Sequence, residues 1–305
     1  TDPALDTVTD LSLRRVLRGH TSAVAALAIS ADGRTIASAG GDGEIALTDP
    51  ETGTAVRRFA VPGPAITALD IADNVLVAAR VDGSIEVFDT GTGERVRTLR
   101  EIEGPVFALT FGEAPGEMIV AGQDRRVRAI SLAGHAVGSF SGHDGAVLAI
   151  AASAERRLLA TGGADRTVRL WDMRRRRLLH RLEGHADDVR AVALTRDGAI
   201  LASGGNDRTA KLWSARTGAL LRSIEPDLGR VLAVALSPGG DLLAVAGEDG
   251  PVRLYAVVTG LPAGSYDGHV GPVRAIAFLP DGKVLATAGD DKTIRLWNAR
   301  VAGYR

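Results

Sequence analysis

Cysteine is absent from the 305 residues, which excludes disulfide bonds, thiolate metal sites and cysteine nucleophiles. Lysine is scarce, with three among 36 basic residues, and this bias towards arginine, together with abundant alanine and glycine, favours a bacterial origin. No apolar run approaches the roughly 18 residues that a membrane helix needs. The basic residues are balanced by 37 acidic ones, so the net charge gives no sign of binding to nucleic acid or to an anionic membrane.

The hydrophobic fraction of 45% is typical of a soluble globular protein and is large enough to build a sizeable core. The chain begins at Thr1, and its first residues do not form a basic and then apolar leader. We therefore expect either that a leader has been removed or that the chain is part of a longer one. We also expect a cytoplasmic location.

A sequence repeat of 40 to 42 residues runs along almost the whole chain. Each copy contains a turn motif such as GGDGEIALTD at 40–49 or GADRTVRLWD at 163–172. The aspartates that the seven copies share are Asp42, Asp82, Asp124, Asp165, Asp207, Asp249 and Asp291. Because such periods are typical of solenoids, propellers and arrays, the repeat decides the architecture.

Each copy predicts four short strands. An alternating apolar run such as Val24 to Ile29 is followed by a turn dipeptide such as Asp32-Gly33, a second run, the turn with the shared aspartate, and two further runs. Glycine, aspartate and asparagine accept the positive φ of hairpin turns, and no stretch has sustained helical periodicity. The prediction is an all-β fold of about 28 strands, in which seven four-stranded antiparallel sheets are arranged radially and each covers its neighbour.

Four copies contain Gly-His, at 19–20, 142–143, 184–185 and 268–269, and the third run of one copy ends in Trp-Asp at 171–172. In these motifs, which recur in register, the repeats resemble the WD-repeat family. The resemblance implies a seven-bladed β-propeller, and it implies a function in binding proteins.

We expect one propeller domain over 1–305, with an N-terminal tail at 1–10 and seven repeats from about 19 to 300. The seventh copy lacks a fourth run. The missing strand is predicted at the other end of the chain, because LSLRRVLRGH at 11–20 resembles LLHRLEGH at 178–185, a fourth run that precedes a Gly-His. Residues 11–18 should therefore complete the last blade and leave no open edge.

Four copies place a histidine, a serine or threonine, and an aspartate in one register, and three of them add a tryptophan. The sets are His20, Ser38 and Asp42; His143, Thr161, Asp165 and Trp171; His185, Ser203, Asp207 and Trp213; and His269, Thr287, Asp291 and Trp297. These residue types also form nucleophilic triads, but a catalytic site occurs once, not four times at the spacing of a blade. The resemblance implies a buried hydrogen-bonded relay, and we predict no catalytic, metal or cofactor site.

Copies two, three and six lack this relay. They have Ala78, Val120 and Val245 at the hydroxyl position, and Phe88, Ile130 and Tyr255 at the tryptophan position. We expect these three blades to be the least stable.

The resemblance also implies that partners dock on the loop face around the central channel. By register, the residues predicted to bind there are Phe107, Leu148, Asp188, Arg190, Asn206, Arg230, Glu248, Arg274 and Asp290. An apolar arc in blades one to four beside a mixed-charge arc in blades five to seven suits a protein or peptide segment. In the alternative, these charges pair only with one another around the rim.

The sequence therefore predicts a monomeric, non-catalytic interaction or sensor module within a larger protein, whose effector domain, such as a protease or kinase, would be a partner. Two other functions stay open. An enzymatic propeller would be a hydrolase or lyase with its site at the channel mouth, although none of the mapped positions is a histidine. Nucleic-acid binding would use basic patches such as Arg174–Arg177, the one dense run of charge.

Overall fold

The computed structural model of the chain describes residues 8–10, 12–100, 102–153 and 155–301. Within these ranges the secondary structure consists of 30 β-strands. Among these residues there is no helix that could span a membrane.

The first fourteen strands are β1 Val8–Asp10, β2 Leu13–Leu17, β3 Val24–Ile29, β4 Ile36–Gly40, β5 Glu44–Thr48, β6 Ala55–Ala60, β7 Ile66–Ala72, β8 Val75–Arg80, β9 Ile85–Asp89, β10 Arg95–Leu99, β11 Val106–Phe111, β12 Glu117–Gly122, β13 Val127–Ser131 and β14 Ala136–Phe140. The following eight are β15 Val147–Ser153, β16 Leu158–Gly163, β17 Thr167–Asp172, β18 Arg177–Glu183, β19 Val189–Leu194, β20 Ile200–Gly205, β21 Ala210–Ser214 and β22 Leu220–Ile224. The last eight are β23 Val231–Leu236, β24 Leu242–Gly247, β25 Val252–Ala256, β26 Pro262–Tyr266, β27 Val273–Phe278, β28 Val284–Gly289, β29 Ile294–Asn298 and β30 Arg300–Val301.

Seven four-stranded antiparallel sheets form the blades of a propeller, which confirms the fold predicted from the repeat. Blades one to six are β3–β6, β7–β10, β11–β14, β15–β18, β19–β22 and β23–β26. The first strand of each blade contacts the first strand of the next, and β27 contacts β3, so the ring is closed. These first strands surround the central channel.

The shared aspartate shapes the turn between the second and third strands of a blade. In blade four the Asp165 carboxylate accepts a hydrogen bond from the Thr167 amide at 3.1 Å. Arg166, which lies between them, has a φ of 64°, and Gly43 has a φ of 72° at the corresponding place in blade one. A carboxylate that binds the backbone two residues ahead makes a tight reversal, which explains why the repeat is centred on aspartate.

Blade seven is completed by the start of the chain, as predicted. β2 pairs antiparallel with β29, with Leu17 opposite Ile294, and the strand order of this blade is β2-β29-β28-β27. The closing strand predicted at 11–18 is thus observed as Leu13–Leu17. The predicted tail at 1–10 contains β1, which pairs with β30, and its other residues lie outside the described part of the chain.

The core is divided among the gaps between neighbouring blades, where aliphatic side chains from two sheets meet. Between blades five and six, for example, Leu212 of β21 packs with Val231 of β23 and Val245 of β24. Burying one such side chain completely contributes about 1.5–3 kcal/mol. Because the other gaps are built in the same way, a blade is stabilised only between two neighbours.

In five blades, a side chain on the outer strand contacts the next blade around the circumference. Arg57 of blade one donates to the Thr92 carbonyl oxygen of blade two at 2.7 Å, and Arg222 of blade five donates to the Val258 carbonyl oxygen of blade six at 2.8 Å. The same place in blades seven, two and four is taken by Arg15, Arg97 and His180, which contact the carbonyl oxygens of Glu51, Ala133 and Arg216. A guanidinium has several donors in one plane, so the preference for arginine over lysine fits this role.

Replacing Leu17 by alanine should destabilise the whole ring, because Leu17 is 8% exposed and packs against Val24 and Ile36 of blade one. We expect the free energy of unfolding, measured by chemical denaturation, to fall by about 2–4 kcal/mol. Leu13 lies on the same strand and is 44% exposed, so Leu13→Ala is the matched control, with an expected loss below about 0.5 kcal/mol. Equal losses for the two variants would contradict closure of the ring by β2.

Candidate functional site at the quartets and the channel mouth

In blades four, five and seven the predicted histidine, hydroxyl, aspartate and tryptophan side chains form hydrogen-bonded quartets. In blade five, His185 Nδ1 lies 2.9 Å from Asp207 Oδ2, and His185 Nε2 lies 2.8 Å from Ser203 Oγ. The indole N–H of Trp213 donates to the same Ser203 oxygen at 2.9 Å. The corresponding contacts measure 2.7–2.9 Å in the quartets of blades four and seven, which are His143, Thr161, Asp165 and Trp171, and His269, Thr287, Asp291 and Trp297.

The protonation state of a quartet follows from its bonds. Burial favours the neutral acid, but hydrogen bonds from the Ala186 amide and the Thr209 hydroxyl, with the nearby His185, hold the pKa of Asp207 below its ordinary value of 3.8. Burial lowers the pKa of His185 below 6.5, against the opposing effect of Asp207, and the pKa of His269 is lowered in the same way. At neutral pH the pair is therefore a carboxylate and a neutral imidazole, whose Nδ1 proton faces the carboxylate.

The hydroxyl groups at the centre of these sets are enclosed by the protein. Ser38, Thr161, Ser203 and Thr287 are each 0% exposed. A nucleophile has to reach its substrate, whereas three of these oxygens already accept a hydrogen bond from an indole. The arrangement suits a brace that joins a loop, a turn and two strands, with each bond worth roughly 1 kcal/mol.

Blade one contains three of the four members. His20 Nδ1 lies 3.0 Å from Asp42 Oδ2, and His20 Nε2 lies 2.9 Å from Ser38 Oγ. Thr48, which is 5% exposed, occupies the place of the tryptophan. Blade one therefore keeps the hydroxyl acceptor without the indole donor.

Blade two contains a buried ion pair that the sequence analysis missed. Arg80 is 2% exposed and donates to Glu86 Oε2 through two nitrogens, at 2.8 and 3.0 Å, and to the Val61 carbonyl oxygen at 2.8 Å. Arg95 donates to the second oxygen of Glu86 at 2.7 Å. The signal in the sequence was an arginine at the repeat position that blade one fills with Gly40. That blade two is among the least stable stays a prediction, and this ion pair works against it.

The first strands of all seven blades enclose a channel of about 200 Å³. Of the nine residues predicted to bind a partner, Phe107 and Arg274 line this channel. The others lie on the first strands or in the loops and turns next to them: Leu148, Asp188, Arg190, Asn206, Arg230, Glu248 and Asp290.

Four of the predicted charged residues form two ion pairs. Arg230 Nε donates to Glu248 Oε1 at 2.8 Å within blade six, and Arg274 Nη2 donates to Asp290 Oδ2 at 2.7 Å within blade seven. Both arginine side chains are about half exposed, at 54% and 42%, so solvent screens the pairs and they add little to stability. The alternative in which rim charges pair with one another therefore holds in these two blades.

Blade five differs from blades six and seven. Its exposed Arg190 has no ion-pair partner among the residues that the structure describes. Burial raises the pKa of Asp188, as does the neighbouring Asp187, while Arg190 acts in the opposite direction. The side-chain oxygen of Asn206 is buried and lacks a hydrogen-bond partner within the described ranges. The Arg190 guanidinium and the Asn206 oxygen are therefore the two groups of blade five that a binding partner could use.

The arginine run of blade four is partly used within the chain. Arg175 donates to Asp172 at 2.9 Å, and Arg176 donates to the Val137 carbonyl oxygen of blade three at 2.7 Å. The run therefore contributes to the contact between two blades. Over the described part of the chain, no group of three or more histidine and carboxylate side chains is placed to hold a metal ion.

Three segments of the chain match the family model described as "WD domain, G-beta repeat": residues 134–172, 176–214 and 260–298. Each ends at the third strand of a blade with a quartet, at Asp172, Ser214 or Asn298. These three segments resemble WD40 repeats, and together they cover less than half of the chain. Residues 11–137, a segment that includes β2 of blade seven and extends into blade three, match a second model, described as "Outer membrane protein assembly factor BamB".

Three curated proteins with segments similar to this chain come from eukaryotes. The chain is 38% identical over 89 residues to mitochondrial division protein 1 of Pyricularia oryzae, 40% over 68 residues to eukaryotic translation initiation factor 3 subunit I of Phaeosphaeria nodorum, and 27% over 163 residues to the U5 small nuclear ribonucleoprotein 40 kDa protein of Dictyostelium discoideum. The matches cover 29%, 22% and 52% of this chain and 13%, 20% and 46% of those proteins. They do not support the bacterial origin expected from composition.

Replacing His185 by alanine should destabilise the fold, because it leaves Ser203 and Asp207 buried without their imidazole partner. We expect a loss of about 2–3 kcal/mol in the free energy of unfolding, measured by chemical denaturation. The exposed His135, which lies outside every quartet, provides the matched control, and His135→Ala should change stability by less than about 0.5 kcal/mol. A His185→Ala protein as stable as its parent would contradict the bracing role.

Mild acid should destabilise the protein before its carboxylates titrate. Because the pKa values of His185 and His269 lie below 6.5 in the folded state, the unfolded state binds protons first, and stability falls as the pH drops below about 6.5. Calorimetry between about pH 7.5 and pH 5.5 should show a falling melting temperature, with a smaller slope in His185→Gln. His135→Gln should keep the parental slope, and an unchanged slope in His185→Gln would contradict the assignment.

Proposed function

We propose that this propeller is a non-catalytic module that binds a protein or peptide segment at the channel mouth. The observation that carries the proposal is the exposed Arg190 of blade five, which has no ion-pair partner among the described residues. In the same blade, the buried side-chain oxygen of Asn206 also has no hydrogen-bond partner there. Phe107, from blade three, supplies apolar surface in the channel that the first strands of the seven blades enclose. A site of this composition suits a segment with both an apolar and a charged side chain.

The bound segment should contain an acidic residue close to an aliphatic or aromatic one. An arginine guanidinium binds a carboxylate through two parallel hydrogen bonds, which gives it direction as well as affinity. The Asn206 oxygen would accept an N–H group of the bound main chain. Phe107 and Leu148 would contact the apolar anchor, and such anchors contribute most of the affinity in many interfaces.

The relatives support a function within a larger protein or assembly. One is named as a subunit of a translation initiation factor, and another as a protein of a small nuclear ribonucleoprotein. The chain spans less than half the length of the relatives reported above. In our proposal it works as a monomeric cytoplasmic domain, and an effector domain of the same parent protein is a candidate partner.

The enzymatic alternative has less support than binding. The quartet hydroxyls are 0% exposed, and none of the nine channel-mouth residues is a histidine. Nucleic-acid binding is also less favoured, because the chain has a net charge of −1 and part of the arginine run is bonded within the protein.

Selection from a random peptide library displayed on phage tests the proposal without a known partner. The enriched peptides should share an acidic residue near an apolar anchor. Synthetic versions should bind Arg190→Ala at least about tenfold more weakly by calorimetry, because one charged hydrogen-bonded contact is worth about 1.5–3 kcal/mol.

The matched control is Arg181→Ala on the outer strand of blade four, where the arginine is 48% exposed and pairs with Glu183. This variant should bind the selected peptides like the parent, and both variants should melt at the parental temperature. No enrichment, or equal binding to the Arg190→Ala and parent proteins, would overturn the proposal.

A further inference from the structure

Blade one contains a cavity where the quartet blades hold an indole ring. Thr48 replaces Trp171, Trp213 and Trp297 at the end of the third strand. The space measures about 110 Å³ and is lined mainly by Leu17, Ser38, Ala46, Thr48, Ala55 and Ile294. A site that three other blades fill with their own side chain is thus left open in this blade.

Ser38, which lines this cavity, has a hydroxyl oxygen that can accept a hydrogen bond from a ligand. His20 Nε2 lies 2.9 Å from Ser38 Oγ, and the Ser38 hydroxyl also lies 3.5 Å from the Ala46 carbonyl oxygen, to which it can donate. A hydroxyl oxygen has two lone pairs, so Ser38 can still accept a hydrogen bond from a further donor. In the quartet blades the equivalent oxygen accepts an indole N–H at 2.9 Å. Blade one preserves this acceptor in a buried place and lacks the indole.

In the three blades without any member of the relay at these positions, both the hydroxyl and the tryptophan are replaced. Blades two, three and six have Ala78, Val120 and Val245 at the hydroxyl position, and their tryptophan position is likewise changed. Replacing both partners of a buried bond by apolar groups is nearly neutral, whereas removing one partner leaves a costly orphan. Among the seven copies, blade one alone has a hydroxyl at the first position without a tryptophan at the second.

Arg58 covers this cavity. Gly19 faces the Arg58 guanidinium, as Gly142 and Gly268 face Arg169 and Arg295 in the quartet blades. Arg295 lies 6.0 Å from the centre of the Trp297 ring, which is the distance of a cation–π contact.

The Arg58 side chain is 36% exposed, and its bonds to Glu44 and to the Arg18 carbonyl oxygen are long, at 3.4 and 3.3 Å. It is therefore weakly held. It can move outward and stack on a ring that enters.

We propose that this cavity is a binding site for a planar aromatic ring with an N–H donor, of which indole is the simplest. The ring would lie between the aliphatic wall and Arg58 and would donate its N–H to Ser38. The cavity is smaller than the roughly 150 Å³ that accommodates benzene in an engineered apolar core, so binding requires Arg58 to move. The same chemistry is present in a free indole compound and in a tryptophan side chain of a peptide.

Titration calorimetry of the intact chain with indole tests this site. Indole should bind the parent at one site, and Thr48→Trp, which fills the cavity with the chain's own ring, should abolish binding and raise the melting temperature. Thr48→Val leaves the cavity open and is the matched control, which should bind indole like the parent. Absence of indole binding to the parent, or equal binding to Thr48→Trp, would overturn the proposal.

A second comparison separates hydrogen bonding from simple cavity filling and does not depend on the folding of Thr48→Trp. The parent should bind indole at least about tenfold more tightly than 1-methylindole, because indole can donate its N–H to the buried Ser38 oxygen and 1-methylindole cannot. Ser38→Ala should remove this preference. Equal affinity of the parent for the two compounds would contradict the role of Ser38.

The source of the ring is distinguished by a third ligand, N-acetyltryptophanamide. If it binds the parent and not Thr48→Trp, the site accepts a tryptophan side chain of a peptide. If only free indole binds, the site takes a small molecule. Either result supports the site, while failure of both ligands overturns it.

Discussion

Each blade has two apolar faces, and only its two neighbours can cover them. This constraint requires the blades to close into a ring, because a terminal blade would expose one apolar face to water. The chain meets it by building blade seven from both of its ends, with Leu17 of β2 packed against blade one. The outer arginines act in the same direction, since Arg57 and Arg222 each reach carbonyl oxygens of the following blade. Stability therefore depends on the interfaces between blades more than on any one sheet.

The polar groups within the blades make hydrogen bonds of fixed direction in a core that is otherwise mainly aliphatic. Alanine, valine and leucine side chains pack in many similar ways, whereas a quartet is satisfied in only one arrangement of its loop, turn and strands. Blade two fixes its loop and strands by an ion pair instead of a quartet. Arg80 binds both the Glu86 carboxylate and a carbonyl oxygen of the preceding loop. A buried charge would be costly alone, and here it is paired on both sides.

The period of the repeat was sufficient to predict the blades, their strands and the closing segment, because turn residues and alternating apolar runs are local signals. The members of the quartets could be found in the same way, since identical spacing places them alike in each blade. The pairing at the channel mouth could not, because it depends on how side chains of separate loops are oriented. Arg230 and Glu248 are 18 positions apart and bond, while Arg190 has no ion-pair partner within the described ranges. The Arg80–Glu86 pair could not be predicted from the repeat, because the other six copies have neither an arginine at the first position nor a glutamate at the second.

A repeat protein supplies its own comparison, because one structural position is sampled seven times under nearly the same packing. A departure from the repeat at a buried position has three physical outcomes. Both partners change together, as with Val120 and Ile130 in blade three. A different group satisfies the same loop, as Arg80 does in blade two. Otherwise one partner remains without the other, as Ser38 does beside Thr48. Only the third outcome leaves both space and a hydroxyl that can accept a further hydrogen bond, and a ligand can use both.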